Sequence, residues 1–190
     1  NPCLLIDNEP INFIDHAVEQ KDGYQRITSF TEETIIKQTI IYDDSYTIDH
    51  IFTGLPAKNV VLLWDHGLLP SEKLIKDDMT YFSVYAQNQE SYEEEYLSSI
   101  DASETFTFDK NVGWAGLKSK YFIKAISNKD YNNLKAEKVV FNAYHDNIIE
   151  GVQTVNSSME YHYGSQDLNN GKLQVSSYIG PIDMEHLNQH

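Results

Sequence analysis

Short segments in which apolar and polar residues alternate recur along nearly the whole chain. In SYTIDHIFTG, residues 45–54, alternate positions share a face, so Ile48, His50 and Phe52 are expected on one side of the segment. A period of two residues is the pattern of a half-buried β-strand. The pattern predicts strands in eleven segments: 24–30, 34–42, 45–54, 59–65, 80–87, 104–108, 118–127, 138–145, 148–155, 158–164 and 172–180.

Residues that favour turns separate many of these segments, for example Asp43-Asp44 and the asparagine-rich segment 169–171. Many short strands joined by turns are typical of a sandwich or a barrel. Because the chain has 190 residues, close to the size of one ordinary domain, we expect a single all-β domain over residues 1–190.

Two segments carry a helical pattern. PSEKLIKDD, residues 70–78, predicts a short helix with Ser71 as its N-cap. GPIDMEHLNQH, residues 180–190, predicts the start of a second helix near Pro181 or Asp183. Helices are therefore expected to be a minor part of the fold.

The charge of the chain limits its partners. The formal net charge is −15, from 29 acidic and 14 basic residues, which would repel nucleic acid and anionic lipid surfaces. Cys3 is the sole cysteine, so the sequence predicts neither a disulfide framework nor a thiolate metal site. No segment is long and apolar enough to be a membrane span.

The distribution of histidine gives no recognisable catalytic or metal motif. Asp-His pairs occur at 15–16, 49–50 and 65–66, and His145-Asp146 is reversed. Neighbouring residues of a strand point to opposite faces, so such pairs do not readily act together. HExxH, GxSxG, P-loop and GxGxxG motifs do not occur. We therefore expect no catalytic residue, no metal ligand and no cofactor.

Two aromatic segments admit both a structural and a functional interpretation. In YHYG, residues 161–164, alternation places His162 on the face opposite Tyr161 and Tyr163. The segment can be an ordinary strand with one packed and one solvated face, which we favour, or a tyrosine pair that binds a sugar. In the segment 62–73, Trp64 can line a cleft or close the end of a sandwich, and we favour the second. The acidic segment 91–97, SYEEEYL, predicts a solvated strand or loop.

The segment NVGWAGLKSKYFIKAIS, residues 111–127, combines glycine, aromatic residues and lysine. Its pattern predicts a packing corner, with Trp114 as an anchor and Phe122 facing the core, and the glycines allow close approach. Three lysines are expected to share one solvated strand face: Lys118, Lys120 and Lys124.

Three stretches, which we name the signature stretches, resemble in their order the large extracytoplasmic domain of the YidC family of bacterial membrane protein insertases. They are LLWDHGLLPSE (62–72), NVGWAGLKSKYFIKAI (111–126) and SSYIGPIDMEHL (176–187). YTIDHIFTGL, from Tyr46, is similar to the strand before the first stretch. The resemblance rests on Trp64, Gly67, Leu68, Glu72, Trp114, Gly116, Tyr121, Phe122, Gly180, Pro181 and Leu187.

The resemblance implies a β-supersandwich like that of galactose mutarotases, with a short helix and a truncated C-terminal helix. It also implies a non-catalytic scaffold or docking domain on the periplasmic side of the inner membrane, cut from a longer protein and attached through flanking membrane helices. The implied partners are periplasmic accessory subunits of the Sec translocon and nascent membrane proteins. The insertion groove of the family lies outside this chain.

Two other functions remain open at the level of sequence. A mutarotase-type enzyme would need acid and base groups in one cleft, for which the candidates are His66, Glu150, Glu160 and His162. A binding module would capture an extended peptide along a sheet edge or a sugar on stacked tyrosines.

Overall fold

The computed structural model describes residues 3–32, 35–42, 46–65, 67–70, 73–88, 91–128, 135–166, 168 and 171–182, the side chain of Lys110 excepted. These residues form fifteen strands, one short α-helix and one 3₁₀ turn. In chain order the elements are β1 Cys3–Ile6, β2 Glu9–Pro10, β3 Asp15–Lys21, β4 Tyr24–Phe30, β5 Ile35–Tyr42, β6 Thr47–Thr53, β7 Val60–Trp64, α1 Ile75–Met79, β8 Ser83–Gln87, β9 Tyr92–Tyr96, the 3₁₀ turn Leu97–Ser99, β10 Ser103–Val112, β11 Trp114–Lys118, β12 Phe122–Asn128, β13 Ala136–Ile149, β14 Val152–Tyr163 and β15 Lys172–Pro181.

The strands form two sheets, and neighbouring strands among the described residues pair antiparallel. The small sheet has the order β10-β13-β14-β7-β1-β2, and the large sheet has the order β3-β4-β5-β6-β15-β12-β11-β8-β9. The predicted all-β sandwich is confirmed. Between Val112 and Trp114 the chain passes from the small sheet to the large one, within the segment 111–127 for which the sequence predicts a packing corner.

The core lies between the two sheets, where the inner faces of alternating strands meet. Tyr161 and Phe141 of the small sheet are fully buried, and so are Ile126 and Leu173 of the large sheet. His162, between the buried Tyr161 and Tyr163, lies on the outer face as the alternation predicted. The burial of these apolar side chains is the main stabilising contribution to such a fold.

Two predicted strands contain turns. The segment 118–127 is divided, because β11 ends at Lys118 and the chain reverses so that Lys118 pairs with Ile123. The segment 148–155 is interrupted by Glu150 and Gly151, which have φ angles of 51° and 80°. Left-handed backbone at two successive residues suits a tight hairpin. Periodicity alone missed both reversals, since apolar residues flank each turn.

The predicted short helix exists, but it begins at Ile75 and is preceded by Leu74, which makes no side-chain capping bond. The predicted cap Ser71 and the closing segment after Ile182 lie outside the described residues. In the part of the chain that the structure describes, no helix has the length and apolar character needed to cross a membrane.

Candidate functional site

The signature stretches approach one another at one end of the sandwich. The backbone N–H of Gly67, in the first stretch, donates a 2.9 Å hydrogen bond to Oδ1 of Asn156 on β14. A Cβ atom added to Gly67 would lie only 2.3 Å from Cδ2 of Leu117, in the second stretch. This glycine is therefore needed for the close contact between the loop after β7 and strand β11.

The second and third stretches are neighbouring strands in the large sheet. Phe122 pairs with Pro181 and Ile123 pairs with Gly180, although these pairs are distant in sequence. Beyond β15, the backbone N–H of Ile182 donates a 2.7 Å hydrogen bond to the carbonyl oxygen of Tyr121. The turn before β12 and the end of β15 thus form one continuous surface.

Helix α1 and the turn before β12 are joined through Lys120. Its backbone N–H donates to Oδ1 of the fully buried Asp78 over 3.3 Å. Its ammonium group lies 2.7 Å from Oδ2 of Asp77, and this hydrogen bond raises the pKa of Lys120. The same ammonium lies 5.3 Å from the ring centroids of both Tyr81 and Tyr121, an arrangement suited to cation–π attraction.

Exposed aromatic side chains are concentrated at this end of the large sheet. β5 and β9 finish here, β6 and β12 start here, and α1 connects to β8 here. We define the aromatic end by six side chains that are each at least one-third exposed: Tyr42, Tyr46, Tyr81, Tyr96, Tyr121 and Phe122. Tyr92, the other exposed aromatic residue among those described, lies at the opposite end of β9.

Trp64 occupies the interior beside this end. It is buried, and its ring makes edge contacts with His50 and Tyr161 at centroid distances of 6.1 and 6.5 Å. His50 lies within 3.1 Å of Oγ of Ser177 and 3.4 Å of Nε2 of Gln38. Burial lowers the pKa of His50 to about 4. Trp64 is therefore part of the core between the two sheets, and His50 is a hydrogen-bonded histidine of the same core.

The two other signature glycines accommodate tyrosine on the outer face of the large sheet. A Cβ atom on Gly116 would lie 2.4 Å from the hydroxyl oxygen of Tyr85, and one on Gly180 would lie 2.7 Å from Cγ of Tyr46. Trp114 lies half-buried on this face, and the centroids of the Trp114 and Tyr85 rings are 4.8 Å apart in an edge-to-face arrangement. Nε1 of Trp114 donates a hydrogen bond to Oε1 of Gln87. Trp114 consequently anchors the outer surface of the sheet.

Two expectations for the second stretch were wrong. Phe122 shares the inner side of β12 with Lys124, but it is 41% exposed and not part of the buried core, because the reversal at 119–121 places it at the rim of the sheet. The lysines do not share a solvated face either. Lys118 forms a 2.6 Å ion pair with Glu94, and Lys124 is buried beside Leu117 on the inner side. Burial lowers the pKa of Lys124 to about 8.

Of the residues considered for a mutarotase-type reaction, Glu160 and His162 are in contact, and Glu150 lies apart from them. Nε2 of His162 lies 3.0 Å from Oε2 of Glu160, whose Oε1 accepts a 3.0 Å hydrogen bond from Asn142. Burial lowers the pKa of His162, although Glu160 opposes this. Glu150 lies in the β13–β14 turn, about 30 Å from Glu160 at about 3.3 Å per strand residue. His66, like Glu72 and Leu187 of the signature set, falls outside the described residues.

Sequence reasoning missed several residues of the aromatic end. The alternation places Lys120 on a strand face and gives no signal at Tyr81 or Ile182. The local signal was Ser119, a residue common in turns, whose N–H donates to the carbonyl of Phe122 over 2.8 Å. The described residues contain no group of three or more His, Cys, Asp and Glu able to hold a metal ion.

The architecture defines the chain as an all-β protein of the two-sheet sandwich class. No family model matches the chain, and no curated protein matches it. Among solved structures, it is similar to a mutant of the heparan sulfate lyase HepC from Pedobacter heparinus, with a TM-score of 0.50 and 10% identity. The alignment covers 95% of this chain and 24% of the lyase, so the chain spans about a quarter of that protein, and the likeness is one of fold alone.

Two further structures align less well. The product of the heparinase III gene BT4657 gives a TM-score of 0.46 at 9% identity, over 95% of this chain and 23% of that one. The protein HI1317 gives a TM-score of 0.46 at 13% identity, over 90% of this chain and 65% of that one.

Proposed function

We propose that this chain is a non-catalytic docking domain of a bacterial membrane protein insertase, placed on the periplasmic side of the inner membrane. The observation that carries the proposal is the meeting of the three signature stretches at one end of the sandwich. Gly67 packs on Leu117, and Tyr121 bonds to Ile182. Residues that resemble one family and are scattered along the chain therefore contribute to one surface.

The geometry also favours contact over chemistry. The signature residues pack in the core, as Trp64 does, or lie exposed at its rim, as Tyr121 and Phe122 do. The ionisable groups beside them are engaged in structural contacts, since Lys120 pairs with Asp77 and Asp78 accepts from the Lys120 backbone. Such a surface offers apolar area and backbone edges to a partner.

β9 is the strand by which a partner would dock. It is the last strand at one edge of the large sheet, and its neighbour in that sheet is β8. Its charged residues, Glu93 to Glu95, discourage non-specific strand pairing. The partners that we propose are periplasmic accessory subunits of the Sec translocon and nascent membrane proteins.

Photocrosslinking in cells that make the complete natural protein tests this function. A photoreactive phenylalanine analogue replaces Tyr96 in one variant and Tyr92 in the matched control. These tyrosines lie on one strand, 52% and 50% exposed, but only Tyr96 belongs to the aromatic end. We expect adducts with translocon subunits or nascent membrane proteins from position 96. Equal or absent adducts at both positions, or a natural protein without flanking membrane helices, would contradict the proposal.

A carbohydrate function is the second candidate. The specific observation in its favour is the contact of His162 with Glu160 on the outer face of β14, a pairing of the kind used for proton transfer. Polarimetry of aldose solutions tests it: no rate increase over buffer eliminates a mutarotase activity. A Glu160→Gln variant with the activity of the wild type would show that any observed rate comes from elsewhere.

A further inference from the structure

Exposed apolar side chains are distributed unevenly over this protein. β14 is antiparallel to β7 and pairs with it at Met159 and Trp64, so the β13–β14 hairpin extends past Trp64 toward the aromatic end. Most of the large apolar side chains exposed among the described residues therefore lie at that end: Tyr42, Tyr46, Leu69, Leu74, Tyr81, Tyr96, Tyr121, Phe122, Ile148, Ile149, Ile179 and Ile182. A concentration of this kind marks an interaction surface.

We infer that the aromatic end rests in the headgroup region of a phospholipid bilayer, an inference that builds on the proposed function because that function places the domain beside a membrane. Tyrosine is favoured at membrane interfaces because its ring is apolar and its hydroxyl group remains hydrated. Tyr81 and Tyr121 flank the ammonium of Lys120. A lysine between aromatic rings can keep its charge in the headgroup layer while its stem contacts apolar atoms.

The path of the chain favours the same occupant. The final strand, β15, ends at Pro181, and Ile182 bonds to Tyr121 within the aromatic end. The sequence continues through residues 183–190 from this point. The described part of the chain therefore leaves the sandwich at the end that carries the exposed aromatic side chains.

Apolar insertion, and not charge, drives this contact. The net charge of −15 opposes approach to an anionic surface, and Lys120 is already paired with Asp77. The free energy of transferring aromatic and aliphatic surface from water into the bilayer changes little at low concentrations of salt. The contact should therefore form on zwitterionic lipid and weaken as the anionic fraction rises.

The test uses the 190-residue chain in a Cys3→Ser background, held by a C-terminal histidine tag on phosphatidylcholine vesicles that contain a nickel-chelating lipid. An environment-sensitive dye is attached at Phe122→Cys or, as the control, at Tyr92→Cys. We expect a blue shift of emission, and quenching by spin-labelled lipid, at position 122 and not at position 92. Adding Tyr81→Ser and Tyr121→Ser should reduce the shift at 122.

Four outcomes would overturn the inference. The first is an unchanged emission at position 122 on vesicles, and the second is equal shifts at both positions. The third is a dye at 122 already shielded without vesicles, which would indicate that residues 183–190 cover the surface. The fourth is shielding that depends on protein concentration, which would indicate a second copy. Because the vesicles contain no translocon, these results are independent of the crosslinking experiment, and either proposal can fail alone.

Discussion

The hydroxyl group of Tyr161, on the small sheet, donates a 2.6 Å hydrogen bond to the backbone carbonyl oxygen of Ile126 on the large sheet. It also lies 3.1 Å from the carbonyl oxygen of Ala115, on the strand next to Ile126. Tyr161 is fully buried, and burial raises the pKa of its hydroxyl. One side chain thus connects the two layers at the centre of the core.

Removing this hydroxyl should destabilise the protein. We expect Tyr161→Phe to lower the free energy of unfolding by about 1 to 3 kcal/mol, because buried hydrogen bonds are lost. Tyr85→Phe is the matched control, since the buried Tyr85 hydroxyl has no hydrogen-bond partner among the described residues. Its removal should be neutral or stabilising. Urea denaturation of both variants checks the pair, and equal losses would contradict this account of the core.

Gly116→Ala should be strongly unfavourable. The new Cβ atom would lie 2.3 Å from the carbonyl oxygen of Lys124 and 2.8 Å from Cα of Ala125. Backbone atoms of a central strand cannot move aside cheaply, so we expect a loss of about 3 kcal/mol or more. Gly151→Ala meets no atom within 4 Å but has a φ of +80°, and should cost about 1 kcal/mol. Thermal unfolding that ranks these variants in the reverse order would refute the packing argument.

The buried His50 should make the protein less stable in mild acid. Burial outweighs the attraction of Asp49 and lowers the pKa of His50 from 6.5 to about 4. The unfolded chain therefore binds a proton between these values while the folded chain does not, and stability falls as the pH drops from 6.5 to 4. The total loss is roughly 3 kcal/mol.

Denaturation curves between pH 7 and 4 measure this effect. The free energy of unfolding of the His50→Gln variant should change less with pH than that of the wild type, whatever the absolute stability of the variant. A slope remains because burial also lowers the pKa of His162. His16→Gln changes an exposed side chain and serves as the control. Parallel curves for wild type and His50→Gln would show that His50 does not carry the effect.

Lys124 should produce a pH dependence of the same sign, but in alkaline solution. Its folded pKa of about 8 lies below the ordinary 10.5, so folding releases a proton between these values and stability rises with pH. At pH 7 the buried charge costs roughly 3 kcal/mol. Lys124→Met should therefore be more stable than the wild type at pH 7, and the difference should shrink by pH 10. A constant difference from pH 7 to 10 would be inconsistent with a buried ammonium.

Phe122 should contribute little to stability, because its ring is exposed. We expect Phe122→Ala to cost less than about 1 kcal/mol, as is usual for surface positions. Phe82→Ala, at a fully buried position, should cost about 3 to 5 kcal/mol. Chemical denaturation distinguishes the two substitutions. A large loss for Phe122→Ala would place this ring in the core, as the sequence first indicated, and would weaken the case for the aromatic end.

The alternation of side chains was enough to predict the all-β class and many individual strands. The strand from Tyr24 to Phe30 has the predicted bounds, because a half-buried strand must repeat every two residues. The same rule placed His162 outside and Tyr161 inside. These features are local, and local sequence encodes them.

Periodicity could not locate the reversal at Ser119, so it assigned Phe122 and Lys124 to the wrong environments. A turn of this kind depends on partners from elsewhere in the chain, here the Asp78 carboxylate that accepts from Lys120 and the Tyr121 carbonyl that accepts from Ile182. The aromatic end is likewise assembled from strand ends that are far apart in sequence. Strand pairing decides which ends are neighbours, and pairing is a property of the whole sheet.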